Sequence, residues 1–352
     1  MTPDTYFPPP EAAGGWRAAF SPKQAIGSAG VDLERLEPVV RRERAMCGAD
    51  SWSLVVIRRG YLACEAHTSS VMGATRFDVW SCTKSFTSAA WGMLFGDDPT
   101  FSPQTPAYGL IPEGQPLTDP RKERATVGHL LSMTSGIPGR KRGAVGMGTP
   151  AGHGPFEHAL GRSPNVNGVW ADTLSGEPGL VWDYSDPAFA HLAPAFRQAA
   201  GVELAAYLHE RLFAPIGIAQ LSWDVQGGGG FLGPHTNAHT GIHVSARELA
   251  RFGYLYLRRG RWGERQVVPE AWVDFSTRPS QSLNPSYGHG WWTNAPGHLW
   301  PRAPRDLFAA IGFRSNRCYV APSLDLVVVR IGSGPSTWDD RDLIDGIVDA
   351  LV

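Results

Sequence analysis

The stretch Trp80-Ser81-Cys82-Thr83-Lys84 runs into Phe86, Ala89, Ala90, Met93 and Leu94. Apolar residues that recur every three or four positions predict a helix with one apolar face, and Ser81 falls in its first turn. The stretch holds the only Ser-x-x-Lys of the chain. Residues three apart share a helix face, so the Ser81 hydroxyl and the Lys84 amine can meet. Outward from this helix the elements are ordered. Leu33, Leu36, Val39, Val40 and Met46 predict a helix over 31–46. Residues 53–57 and 61–66 predict two strands around the turn Arg58-Arg59-Gly60. On the far side come a short helix from Thr126 through Leu131 and two helical segments, 187–199 and 202–213, broken at Gly201. Ser245 and Glu248 form a capping box that opens a helix running to Leu257, with Gly260 as its stop. Two strands over 317–321 and 324–331 and a helix over 338–351 close the chain.

Strands at both ends and helices between them predict an α/β (α+β) protein. The terminal strands form one sheet flanked by helices, and the middle is a mostly helical insertion. The expected divisions are an extended arm over 1–30, a discontinuous sheet domain over 31–80 plus 236–352, and a helical domain over 81–235. Gly and Pro number 41 and 29, so long loops are expected, chiefly over 96–120 and 137–180, with a further turn at the glycine run 227–230.

The chain has 352 residues, 42% of them hydrophobic and 18% charged, which fits a globular protein rather than a disordered one. Its net charge of −1 lacks the footprint of a nucleic-acid binder. No apolar run approaches the roughly 18–20 residues that span a bilayer, so no membrane partner is expected. Met1-Thr2-Pro3-Asp4 has neither the basic nor the apolar region of a signal peptide. The chain as given is therefore expected to be cytoplasmic, unless a leader was removed before the numbering. Cys47, Cys64, Cys82 and Cys318 have no zinc-type spacing and read as reduced thiols. Only four of the 32 bases are lysines, namely Lys23, Lys84, Lys122 and Lys141. Each deserves scrutiny, because burial can bring a lysine, unlike an arginine, to neutrality near pH 7.

A serine hydroxyl is a poor nucleophile until a base takes its proton. A desolvated Lys84 can be that base, against the plainer reading of a solvated surface lysine. Free N–H groups at the start of the helix suit a developing oxyanion. Tyr184-Ser185-Asp186 is the only Tyr-x-Asn/Asp in the chain. Its tyrosine can relay a proton to a leaving group; its Ser or Asp before Pro187 also caps a helix, and both readings can hold. Ala309-Ala310-Ile311-Gly312-Phe313-Arg314 precedes a strand, and a strand edge beside the nucleophile would supply a second oxyanion N–H. Trp80, Trp182, Tyr287 and Trp292 read either as an acyl pocket or as plain core.

Together these elements resemble the serine β-lactamase and penicillin-binding-protein superfamily, in its branch of class C β-lactamases, β-lactamase-like carboxylesterases and nylon-oligomer amidases. The stretches 129–136 (His-Leu-Leu-Ser-Met-Thr-Ser-Gly), 245–253, 287–292 (Tyr-Gly-His-Gly-Trp-Trp) and 322–329 agree in order. The resemblance implies an antiparallel sheet, a helical domain and a site between them. It implies Ser81 as acyl-enzyme nucleophile, Lys84 as its base and Tyr184 as general acid/base. It puts the oxyanion hole at the backbone N–H groups of Ser81 and Phe313, with Trp80, Asp186, Tyr287, Trp292, Gly312 and Arg314 around the substrate. No metal or organic cofactor is implied, and the partner is a small-molecule ester or amide.

Two departures refine this. Aligning Gly312 with the family's motif glycine puts Ala310 where a Lys or His often binds a substrate carboxylate. That charge-assisted bond is worth roughly 1.5–3 kcal/mol; Arg314 is the nearby substitute. Asp186 stands where Asn is commonest, and an ionised Asp beside Lys84 favours the ammonium over the neutral base. Either Asp186 turns away or Tyr184 carries more of the base function. The expectation is a carboxylesterase for small esters. The alternatives are a β-lactamase, a D-amino-acid peptidase or an aminohexanoate-oligomer amidase, and, in another class, a non-catalytic ligand-binding module. His235, His239 and His243, four apart, read as a polar loop rather than a metal site. The loop 139–154 has no Gly-Lys-Ser/Thr, so it is no phosphate cradle. Its charges read as a solvated loop or the rim of a site.

Overall fold

The computed structural model describes residues 6–48, 50–68, 73–140, 155–165, 167–226 and 233–352. Most of the 139–154 loop, from Lys141 on, and the glycine run at 227–230 lie outside the described residues.

The sheet has six strands. They are β1 (Trp52–Arg58), β2 (Tyr61–His67), β3 (Trp292–Thr293), β4 (Phe308–Gly312), β5 (Asn316–Ala321) and β6 (Leu326–Gly332). Their order is β3-β4-β5-β6-β1-β2, and every pairing is antiparallel. All seven residues of both β1 and β6 are buried, as a central strand covered on both faces requires. Alternation then sorts them: Val55, Ile57, Val327 and Val329 face one core, and Leu54, Val56, Leu326 and Val328 the other. The second core is roofed by helix α1 (Leu33–Cys47) and the helix Asp340–Asp349, which bury Leu36, Val40, Leu343 and Ile344. Tyr61–His67 reaches the sheet from one end of the chain and β3–β6 from the other, on either side of the mainly helical middle.

The first core is filled by α2 (Thr83–Asp97) and the helix Ala246–Leu257. The sequence predicts one apolar face for α2. Instead the helix is sunk into the molecule, with every residue from Thr83 to Leu94 buried. Its small polar residues survive burial because each finds a backbone partner: Thr83 Oγ1 accepts from Ile242 N–H at 3.3 Å, and the other three reach loop carbonyls. Ser85 Oγ donates to Gly290 O at 2.7 Å, Thr87 Oγ1 to Ala238 O at 2.7 Å and Ser88 Oγ to His289 O at 2.6 Å. Buried hydroxyls without such partners would each cost about 1–3 kcal/mol. The three bonds also fix the loops 238–239 and 289–290 against the helix.

Three other expectations change. The arm over 1–30 is not extended where it is described. It carries short helical turns at Glu11–Ala13, Pro22–Gln24 and Ala25–Ala29. Arg251, wholly buried on the helix Ala246–Leu257, draws the arm in by donating to Pro8 O at 3.0 Å and to Glu11 at 2.7 Å. The capping box at Ser245 is half built. Ser245 accepts from the Glu248 N–H, but the Glu248 carboxylate turns to the Ala219 and Gln220 N–H groups, at 3.0 and 2.9 Å. Finally, Leu324 belongs to a turn, and the last sheet strand begins at Leu326. All four cysteines are free thiols. Among the described residues no helix is long and apolar enough to cross a membrane.

Candidate active site

Ser81 sits in a 3-10 turn, Trp80–Cys82, that leads directly into α2. The residue before it, Trp80, has φ 50°, a left-handed conformation that a bulky side chain rarely takes. Two contacts hold it there: its N–H donates to Asp78 at 2.8 Å, and its ring packs edge-on to Phe313 at 5.4 Å. Strained backbone of this kind persists only where its surroundings enforce it, and it concentrates at functional sites.

One turn along, Lys84 is buried and its three donors are all used. Nζ donates to Ser81 Oγ at 3.0 Å, to Asp186 Oδ1 at 2.7 Å and to the His239 carbonyl at 3.0 Å. Asp186 does not turn away. Ser185 is the N-cap of the helix Asp186–Ala190, accepting from Ala188 N–H at 3.1 Å, which leaves Asp186 in the first turn to face Lys84. Burial works against the Lys84 charge, but the Asp186 carboxylate, followed by the Tyr184 oxygen, outweighs it and holds the amine above its ordinary value. Burial likewise pushes the Asp186 carboxyl up, and the Lys84 charge, followed by His239 and Arg140, brings it below its ordinary value. The pair is therefore an ion pair, and Lys84 is an ammonium, not the neutral amine the sequence motif invites.

Tyr184 is buried beside them, with Lys84 Nζ 5.0 Å from its ring centroid. Its ring lies near-parallel to Trp292 at 6.1 Å and edge-on to Tyr287 at 6.2 Å, and Trp182 closes the cluster at 5.9 Å from Tyr287. Burial drives the Tyr287 hydroxyl well above the usual phenol range, so it stays protonated. These aromatics form a wall joined to the sheet core through Trp292.

Opposite the Ser81 turn, Gly312 ends β4. A Cβ there would lie 2.1 Å from the Val79 carbonyl, so only glycine lets the strand end come this close to the Ser81 turn. Phe313 and Arg314 follow on the exposed turn between β4 and β5, with Arg314 at φ 55°. Ala310 is buried and faces the first core, so that position offers no cation.

The three spaced histidines part company. His235 Nδ1 lies 2.9 Å from Glu203, and His243 Nε2 3.3 Å from Asp224. His239 goes to the floor of the site, where burial, with the Lys84 charge behind it, brings its imidazole down to about 3. Spacing alone could not single it out. Its place is set by α2, whose Thr87 grips the neighbouring Ala238 carbonyl. Among the described residues no group of three His, Cys, Asp or Glu is arranged to hold a metal ion.

Comparison with known proteins bears on the fold and the family. No curated protein matches significantly in sequence. The chain is similar in structure to a putative 6-aminohexanoate-dimer hydrolase from Bacillus anthracis, with TM-score 0.71, 19% identity, and coverage of 97% of this chain and 88% of that one. It is similar to EstCE1, a hydrolase with promiscuous acyltransferase activity, with TM-score 0.68, 14% identity, and coverage of 90% and 97%. A β-lactamase from Mycobacterium bovis aligns with TM-score 0.60, 21% identity, and coverage of 88% and 97%. At these identities the likeness is one of fold. The family model named Beta-lactamase, however, matches residues 36–351, nearly the whole chain. The chain therefore belongs to the Beta-lactamase family and has its mixed α/β, serine-hydrolase-like fold.

Proposed function

We propose that the protein is a serine hydrolase that cleaves small carboxylic esters through an acyl-enzyme on Ser81. The observation that carries this is the buried Lys84 ammonium, hydrogen-bonded to Ser81 Oγ at 3.0 Å while Asp186 holds its charge from 2.7 Å. A cationic Lys84 has no lone pair with which to take the Ser81 proton. The acceptor in this reading is Tyr184 in its deprotonated form. The Ser81 O–H bond breaks, the proton passes to the Tyr184 oxygen, and Oγ bonds to the ester carbon. Lys84 positions Oγ and offsets negative charge on either oxygen. The carbonyl oxygen becomes an oxyanion, met by the Ser81 and Phe313 N–H groups. The ester C–O bond then breaks, and the leaving alkoxide takes the proton from Tyr184. Water repeats the sequence to free the acid.

An amide substrate is the second reading, and the likeness to the 6-aminohexanoate-dimer hydrolase supports it. Against it, Asp186 offers no amide N–H to a substrate carbonyl, and its carboxylate is bound to Lys84. A fluorophosphonate probe and p-nitrophenyl butyrate test the proposal. Labelling and turnover are expected in the native protein, with turnover down by about a thousand-fold or more in Ser81→Ala. Equal turnover in the two proteins refutes it. A matched p-nitroanilide ranks ester against amide.

A further inference from the structure

Arg140 is a cation at this site that the motif order does not point to. It follows the segment 138–139, which is pinned to the irregular segment 183–185. Arg140 N–H donates to Tyr184 O at 3.0 Å, Gly139 N–H to Asp183 Oδ2 at 2.8 Å, and Ser185 Oγ to Pro138 O at 3.1 Å. A Cβ on Gly139 would lie 2.4 Å from the Tyr184 carbonyl, so the two segments touch backbone to backbone. That contact fixes where the Arg140 side chain begins. Its guanidinium lies over the Tyr184 ring, Cζ 4.3 Å from the centroid, and Lys84 Nζ approaches the same ring to 5.0 Å.

The two cations differ in one respect. Lys84 is buried and neutralised by Asp186, whereas Arg140 is exposed and has no ion-pair partner among the described residues. It opens the run Arg140-Lys141-Arg142, and no Asp or Glu occurs between Pro138 and Pro155. Its field does reach the site, since it is among the charges that bear on Asp186 and Tyr287. Stacking on an aromatic face leaves the edge of a guanidinium, with its fork of N–H donors, open to an anion.

We propose that Arg140 binds a carboxylate on the leaving-group part of the substrate, so that the esters turned over best are those whose alcohol portion is anionic. The leaving-group side follows from Tyr184, which in the mechanism above hands its proton to the departing oxygen and carries Arg140 on its ring. Recognition of a substrate anion thus moves from the strand position, where Ala310 is neutral, to the loop beside the general acid. The inference rests on the serine-hydrolase reading of this site.

The test compares 4-butanoyloxybenzoate with its neutral carboxamide and with the 4-trimethylammonio phenyl ester. The native protein is expected to favour the benzoate. In Arg140→Gln the anion-to-neutral ratio of kcat/KM falls about ten- to one-hundred-fold, chiefly through KM. In Arg140→Glu the preference inverts towards the ammonium ester. A ratio that stays within two-fold of the native value in Arg140→Glu overturns the proposal. Binding of 4-hydroxybenzoate, followed by calorimetry, separates this inference from the catalytic one. Should Ser81 prove unreactive, a tenfold weaker Kd in Arg140→Glu still supports the anion site, and an unchanged Kd refutes it.

Discussion

Lys84 and Lys122 are both buried in the helical middle of the chain, at 1% and 0% exposure, yet burial drives them in opposite directions. Lys84 meets a carboxylate and is held above its ordinary value. Lys122 meets only neutral oxygens: Thr118 Oγ1 at 3.1 Å and the carbonyls of Ala159, Leu160 and Ala171 at 3.2, 2.9 and 2.9 Å. Two of those carbonyls end the short helix Pro155–Leu160, where unpaired C=O groups attract a cation. The acid beside Lys122 is already taken, because Asp119 is gripped by Arg121, with Nε 3.0 Å from Oδ1. Burial therefore wins, and Lys122 is brought down to about 8. Of these two lysines, the one closer to neutrality is not the one next to Ser81. What decides is which cation owns the nearest carboxylate, not depth.

The largest effect is expected from Lys84→Met. It leaves the Asp186 carboxylate buried and unpaired, which costs about 3–5 kcal/mol in urea unfolding. It also removes the group that positions Ser81 Oγ, so p-nitrophenyl butyrate turnover drops by about a thousand-fold or more. Adding Asp186→Leu should return most of the stability and none of the activity. Recovery of activity in the double variant would show that the ion pair is scaffold rather than machinery.

Lys122 should show itself in the pH dependence of stability. Its proton is lost near 8 in the folded chain and near 10.5 in the unfolded one. Between those values the unfolded state binds the extra proton, so the folded state gains as pH rises. Unfolding free energy is expected to climb by about 3 kcal/mol from this group across that window. Below pH 8 the full cost of burying the cation remains. The climb should vanish in Lys122→Met, with p-nitrophenyl butyrate turnover at pH 7 within about threefold of native. Lys84 adds nothing to the climb, because its folded value is raised: its contribution is complete below 10.5 and is lost only as pH passes the folded value.

Asp186→Asn would make the first lysine resemble the second. With its counter-charge gone, Lys84 follows the direction burial dictates, and its value falls. The pH midpoints of kcat/KM should then move by about a unit or more, and a neutral Lys84 becomes available as a base. Midpoints that stay in place would mean that Asp186 does not set the charge of Lys84.

This contrast also marks what the sequence could and could not carry. Local signals were readable: the hairpin around Arg58-Arg59-Gly60, the break at Gly201, the Ser245 cap and the three-residue spacing of Ser81 and Lys84. Even the Asp186 problem was legible, as a choice between two outcomes. Its resolution was not, because it depends on Lys84 meeting Asp186 across 102 positions and the His239 carbonyl across 155. Periodicity misjudged α2 for a related reason. A helix enclosed on all sides needs no polar face, and its Ser and Thr residues look surface-like until the backbone groups they reach are known. Arg140 stayed among apparent loop charges because only the backbone contact of Gly139 with Tyr184 brings it to the site.

The smallest effect sharpens the comparison most finely. Thr118 Oγ1 accepts from Lys122 at 3.1 Å and donates to Leu160 O at 2.7 Å, so it is the one side chain in the Lys122 cradle. Thr118→Val removes that oxygen and preserves the shape. Because residue 118 is exposed, water replaces part of what is lost, and the cost at pH 7 is expected near 1 kcal/mol or less. The direction in pH is more telling than the size. One fewer acceptor favours the neutral amine, so the stability climb should begin below pH 8 rather than at it. If Thr118→Val leaves the onset in place, the three carbonyls alone set the charge of Lys122. If the onset moves down, the hydroxyl shares that role, as Asp186 does far more strongly for Lys84.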